Sequence, residues 1–121
     1  MTGKSYSKRD AEQLQAILKY CKDIGDFIDL YGSSETSFSD NIPLQYSCVF
    51  ALMQIGEHVK RLSPELKDEH PEIDWKNAAG MRDFIAHSYM DINVSKVRST
   101  ILDKIPYLEE KCRSILDRSK K

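Results

Sequence analysis

The stretch Asn41–Leu62, NIPLQYSCVFALMQIGEHVKRL, decides the fold class. Leu44, Cys48, Ala51, Leu52, Ile55, Val59 and Leu62 recur at threes and fours. That is the period of a helix with one apolar face. Asn41 or Asp40 can cap its start, and Pro43 suits a first turn. Gly56 costs about 1 kcal/mol relative to alanine in a helix interior, which close approach by another helix would offset. Glu57 and His58 flank the apolar face. Glu57 can orient a cation at a site or stand as a solvated carboxylate; His58 reads as an exposed helix histidine.

The same grammar extends in both directions. Upstream, Ser7 can cap a first helix, with Asp10 three residues on as a capping-box partner. Leu14, Ile17, Leu18, Cys21, Ile24 and Ile28 mark its apolar face, and Gly32 is a good stop. Ser33 to Asp40, polar and serine-rich, reads as a loop between neighbouring helices. Downstream, Ser63-Pro64 starts a short helix that His70-Pro71 breaks. Asp74 caps the next long helix, with Trp75 packed in its first turn. Ala78, Ala79 and Gly80 are small enough for another helix to approach closely. Asn93 or Ser95 caps the last helix, where Val94, Val97, Ile101, Ile105, Leu108, Cys112 and Ile115 run near a heptad. Pro106 interrupts that helix and is expected to kink it. No internal repeat, low-complexity segment or convincing strand alternation occurs. The expectation is one domain over residues 1–121: an all-α up-and-down bundle of four long helices plus a short helix.

Bulk properties narrow the class further. A chain of 121 residues with 40% apolar and 31% charged content is expected to be soluble and to build its own core. The longest apolar run, Cys48 to Met53, is far short of a membrane span, and no signal-like segment follows Met1. Cys21, Cys48 and Cys112 are widely separated and odd in number, which suits reduced helix-face residues in a cytoplasmic protein. The formal net charge of −1 argues against broad coating of nucleic acid but says little about a small local site. Lys111, Arg113, Arg118, Lys120 and Lys121 form a basic C-terminal cluster that complements a helix end.

One stretch departs from plain amphipathic helix: Met81-Arg82-Asp83-Phe84-Ile85-Ala86-His87-Ser88-Tyr89. Asp83 and His87, four apart, share a helix face. Arg82 lies about 140° round from His87 on a straight helix, so the two converge only if the helix loosens or a second chain completes the site. Tyr89 follows where the pattern breaks. No set of residues has metal-ligand spacing, and no phosphate loop, nucleophile elbow or dinucleotide fingerprint is present. Arginine, histidine and a carboxylate suit phosphodiester cleavage when the substrate supplies its own nucleophile, as RNA does through its ribose hydroxyl. Histidine moves a proton near neutrality, and the arginine fork matches phosphate oxygens. Spacing alone favours a dipole-stabilised histidine, two surface charges and a loop-anchoring tyrosine.

These residues resemble a family signature. Arg82, His87 and Tyr89 match the Arg-x4-His-x-Tyr motif of HepT-like HEPN-domain proteins. Ile55-Gly56-Glu57, Pro71-Glu72-Ile73-Asp74-Trp75, Asp91-Ile92 and Ile105-Pro106-Tyr107-Leu108 match further stretches in the same order, over roughly residues 8 to 116. Asp83 departs from the asparagine that many relatives carry. The resemblance implies a HEPN-like bundle and a homodimer in which two motif helices share a cleft. It implies a toxin that cleaves RNA, with Arg82 and His87 as catalytic residues. Asp83, on the His87 face, is expected to act with them, and Glu57 can support the site. The lack of metal-ligand spacing makes cleavage without metal or cofactor the expectation. The resemblance also implies a minimal nucleotidyltransferase antitoxin as partner, which adenylylates Tyr89. Two other classes stay open: a non-catalytic nucleotide-binding or adaptor subunit of a nucleotidyltransferase complex, and a purely structural dimeric bundle.

Overall fold

Ser7 begins the first helix, its Oγ accepting a hydrogen bond from the Asp10 backbone N–H at 3.0 Å. In the computed structural model, residues 6–88 and 93–119 are described, with backbone alone for 82–88 and for Ser119. The helices are α1 (Lys8–Tyr31), α2 (Glu35–Ser39), α3 (Ile42–Lys60), α4 (Pro64–Glu69), α5 (Trp75–Ser88), α6 (Val94–Ser99) and α7 (Ile105–Ser119). A π turn, Thr100–Lys104, joins α6 to α7, so the last three segments form one long helix with a wide step inside it. The architecture is an all-α bundle with four long helical rods and two short helices, and no strand occurs among the described residues.

Capping residues begin the helices largely as their chemistry dictates. Asn41 Oδ1 accepts from Leu44 N–H at 2.9 Å, so Asn41 rather than Asp40 caps α3. Ser63 caps α4, Asp74 caps α5 and Asn93 caps α6, each accepting from the N–H three residues on. Gly32 ends α1 at φ 90°, with its N–H on the Ile28 carbonyl at 2.7 Å. A Cβ there would meet Ser37 Oγ at 2.9 Å, so glycine is required both by backbone conformation and by space.

α3 is the centre of the packing, with its largest interfaces against α5 and α1. The apolar faces read from the sequence are buried: Leu14, Ile17, Leu44, Cys48, Leu52, Ile55, Val59 and Cys112 are essentially inaccessible. Two local features differ from the pattern reading. The Ser33–Asp40 segment contains α2, capped by Ser34, because Phe38 inserts fully into the core and pins a helical turn. Gln45 then donates to the Phe38 carbonyl, and Arg98 Nε donates to the Ser33 carbonyl at 2.7 Å, fixing both ends of the connection. The expected interruption at Pro106 takes the form of the π turn immediately before it, in which Ile105 N–H bonds the Thr100 carbonyl. A proline ring clashes with the carbonyl four residues back in a regular helix, and widening the preceding turn relieves that clash.

Asp10 takes a role the local pattern does not show. Its carboxylate reaches across to α4 rather than back to Ser7, accepting from Ser63 N–H at 2.8 Å and Ser63 Oγ at 2.6 Å. The residue is only 3% exposed, so this pair joins the start of α1 to the start of α4 in a nearly dry setting.

Candidate active site on the fifth helix

The fifth helix is held firmly at its start. Trp75 is buried, and its indole N–H donates to the His70 carbonyl at 3.0 Å. Ile73, Ala78 and Met81 are buried with it. Asp74 accepts from Asn77 N–H at 3.0 Å, which satisfies one of the donors a helix start leaves open. These contacts set the register of the rod that continues through Arg82, Asp83 and His87 to Ser88.

Arg82, Asp83 and His87 therefore stand on described helical backbone, with side chains outside the described residues. Tyr89 lies outside the described residues altogether. Glu57, the residue named for site support, is on α3, the helix against which α5 packs most. It is half-buried, with Oε1 inside the protein.

His58 is not the free surface group that its position suggested. Its Nδ1 lies 2.7 Å from Gln13 Oε1, and its ring stacks on Tyr20 with centroids 6.0 Å apart. Burial lowers its pKa, the Arg61 cation lowers it further, and the Glu57 carboxylate opposes both. The residue thus bridges α3 to α1. No local signal could have shown this, because Gln13 is 45 residues away.

Other nucleophiles are quiet. Cys21, Cys48 and Cys112 are buried free thiols. Burial pushes Cys48 and Cys112 up to about 12 and Cys21 higher still, so none supplies a thiolate near neutrality. Among the described residues, no group of three His, Cys, Asp or Glu side chains could hold a metal ion. No helix of the described residues is long and apolar enough to cross a membrane.

Beside the start of α5 is a cleft that sequence reading missed. Lys76, Asn77 and Gly80 of α5 face Lys96, Thr100 and Lys104 of the last rod across about 460 Å3. Lys104 Nζ donates to Asn77 Oδ1 at 3.1 Å, and Tyr107 OH donates to the Glu72 carbonyl at 3.3 Å. Of the small residues before the motif, Ala78 is buried in the core, whereas at Gly80 a Cβ would meet no described atom within 4 Å. The one advance signal was Pro106, which placed an irregularity in the opposing rod.

With this geometry in place, sequence comparison becomes informative. The pattern of the family described as "Ribonuclease HepT-like" matches residues 17–115, from the first helix into the last. This chain belongs to that family. It is 36% identical over 107 residues to "Putative RNase TTE0752" of Caldanaerobacter subterraneus subsp. tengcongensis, covering 88% of this chain and 94% of the relative. It is 33% identical over 110 residues to "Putative RNase MJ1216" of Methanocaldococcus jannaschii, covering 90% and 89% of the two chains. It is 34% identical over 97 residues to "Probable ribonuclease HepT" of Thermococcus cleftensis, covering 76% and 88%. No solved structure matches. Membership places the chain among ribonucleases, and the matched span includes the rod bearing Arg82, Asp83 and His87.

Proposed function

We propose that this protein is a metal-independent endoribonuclease. The observation that carries the reading is the family match over residues 17–115, which includes Arg82 and His87 on a single helix fixed by Trp75 and Asp74. In the reaction, His87 takes the proton of the ribose 2′-hydroxyl, and that oxygen attacks the adjacent phosphorus. The bond from phosphorus to the 5′ oxygen breaks, and an imidazolium returns a proton to the leaving oxygen. Arg82 holds the phosphate oxygens as charge gathers on them. Asp83, one turn from His87, orients or balances the imidazole. Glu57 supports the site from α3.

A homodimer supplies two histidines, one as base and one as acid, and two arginines. An uncovered apolar stripe on α3 supports it: Ile42, Tyr46 and Phe50, four residues apart, are 57%, 60% and 56% exposed. The RNA substrate, a cognate minimal nucleotidyltransferase antitoxin and a toxin role complete the reading. Adenylylation of Tyr89 places a phosphate near the motif, where it competes for the Arg82 cation and blocks the site.

The test is to incubate purified protein with RNA and excess chelator. Cleavage is expected to persist, and His87→Ala and Arg82→Ala to abolish it with helical content unchanged. Activity lost to the chelator and restored by a divalent ion overturns the mechanism. An inactive parent that still binds a nucleotidyltransferase supports an adaptor instead. Tyr89→Phe is expected to stay toxic and to gain no mass beside the active antitoxin; neutralisation of this variant removes Tyr89 as the control point.

A further inference from the structure

The cleft between α5 and the π turn holds an uneven charge. In an adjoining hollow that shares Asp74, Asn77 and Lys104 with it, Asp103 lies with Tyr107, Ile105 and Leu108. In the cleft itself, Lys76, Lys96 and Lys104 line the space around Gly80, with Asp74 as the opposing carboxylate of the described lining. Asp74 also caps α5, which fixes its carboxylate at the start of the helix and leaves its charge in place. In a chain of net charge −1, three lysines from two separate rods stand against one carboxylate in the described lining of this open space.

Gly80 adds an independent observation. A helix-interior glycine costs about 1 kcal/mol relative to alanine, and no described atom of this chain uses the room it leaves. Such a position suits close approach by the backbone of a ligand. The register then links the cleft to the motif. Taking Lys76 as zero, Gly80 falls about 40° round the helix, and positions 83 and 87 fall within about 20° on either side of zero. The row that opens into the cleft thus runs on, in register, to the positions of Asp83 and His87. Gly80 and position 87 are separated by about 10 Å of helix rise. The π turn places Lys104 across from Asn77, to which one of its three N–H donors is bonded.

The geometry points to this cleft as the binding groove for the RNA strand beside the scissile phosphate, with Lys76, Lys96 and Lys104 holding backbone phosphates of the flanking nucleotides. This rests on the ribonuclease reading and extends it: the lysines bind substrate and do not take part in the chemistry. The contacts go to phosphate, so the groove raises affinity for long RNA without reading bases.

The test measures binding separately from cleavage. A fluorescent oligoribonucleotide is titrated with the full chain carrying His87→Ala, over a series of salt concentrations. Adding Lys96→Gln and Lys104→Gln together is expected to weaken binding about tenfold at low salt. It should also reduce the slope of log affinity against log salt by about 0.7 per lysine. Lys76→Gln, on an exposed turn, is expected to show a smaller loss in the same direction and serves if the double variant misfolds. Lys22→Gln on α1 removes the same charge from an exposed site outside the cleft and is expected to bind like the parent. Parental affinity and slope in the lysine variants overturn the groove, as does an equal loss in Lys22→Gln or a parent that does not bind RNA. Cleavage by the unmutated chain is scored separately. If it cuts RNA while the lysine variants bind normally, only the groove fails. If it binds through the lysines but does not cut, only the nuclease reading fails.

Discussion

Asp10→Ala tests whether the joint between the first and fourth helices is a main support of the bundle. The Asp10 carboxylate is 3% exposed and accepts two hydrogen bonds from Ser63, at 2.8 and 2.6 Å. A hydrogen bond to an ionised group contributes about 1.5–3 kcal/mol net. Ser63 is only half-buried, so water reaches its donors once the carboxylate is gone, which favours the lower value for each bond. The pair then contributes about 3 kcal/mol. For a domain of 121 residues that is a fall in Tm of about 10 °C. Urea unfolding followed by circular dichroism measures it directly. Ser63→Ala removes the Oγ bond and the cap on Leu66 N–H but keeps the backbone donor, so it is expected to cost about 1–2 kcal/mol. The double variant should lose less than the sum by about 1 kcal/mol, because the two residues share a bond. A loss below about 0.5 kcal/mol in Asp10→Ala, or strict additivity, refutes the reasoning.

Phe38→Ala is expected to cost about 3–5 kcal/mol, because the ring is fully buried and its helix is only five residues long; a surface-like loss below about 1 kcal/mol in a melt contradicts its anchoring role. His58 has a lowered pKa, so its unfolded form binds a proton more readily than its folded form. Its contribution is present above about pH 6.5 and is lost as pH falls from there through the lower folded value. His58→Gln should therefore flatten the acid side of a stability–pH profile, and an unchanged profile refutes this. Tyr46→Glu on the uncovered stripe of α3 is expected to give a monomer in light scattering with cleavage lost; a dimer of unchanged mass removes that face from the assembly.

The long helices were legible because burial repeats at the helical period. Leu44, Cys48, Leu52, Ile55 and Val59 appear in sequence and in the core alike. What the sequence hid depends on partners far along the chain. Phe38 sits in a polar stretch with no periodic companion, so only tertiary burial reveals its helix. Asp10 read as the capping-box partner of Ser7, whereas its carboxylate's actual partner, Ser63, is 53 residues away. Pro106 announced a break but not its form, since a kink and a wide turn both relieve the clash of its ring with the preceding turn. At the candidate site, spacing alone favoured surface charges. The ordered family signature is what singled out Arg82 and His87, with Asp83 joined to them by the helix face it shares with His87. The lysines beside them could not be found that way, because Lys76, Lys96 and Lys104 belong to two rods and share no sequence pattern.

The π turn at Thr100–Lys104 also changes how the last rod tolerates altered length. An α-helix advances about 100° per residue, so deleting one residue rotates everything beyond it by that angle. Along most of α7, such a deletion would turn Leu108, Cys112 and Ile115 away from the core. A five-residue step already carries one residue more than the regular turn. Removing one there, such as the exposed Leu102, keeps both flanks in phase but contracts the step to an ordinary turn. In that turn the Pro106 ring meets the carbonyl four residues back, so the deletion needs Pro106→Ala beside it. The rod thus behaves as two gears joined by a slipping link, and the proline holds that link open.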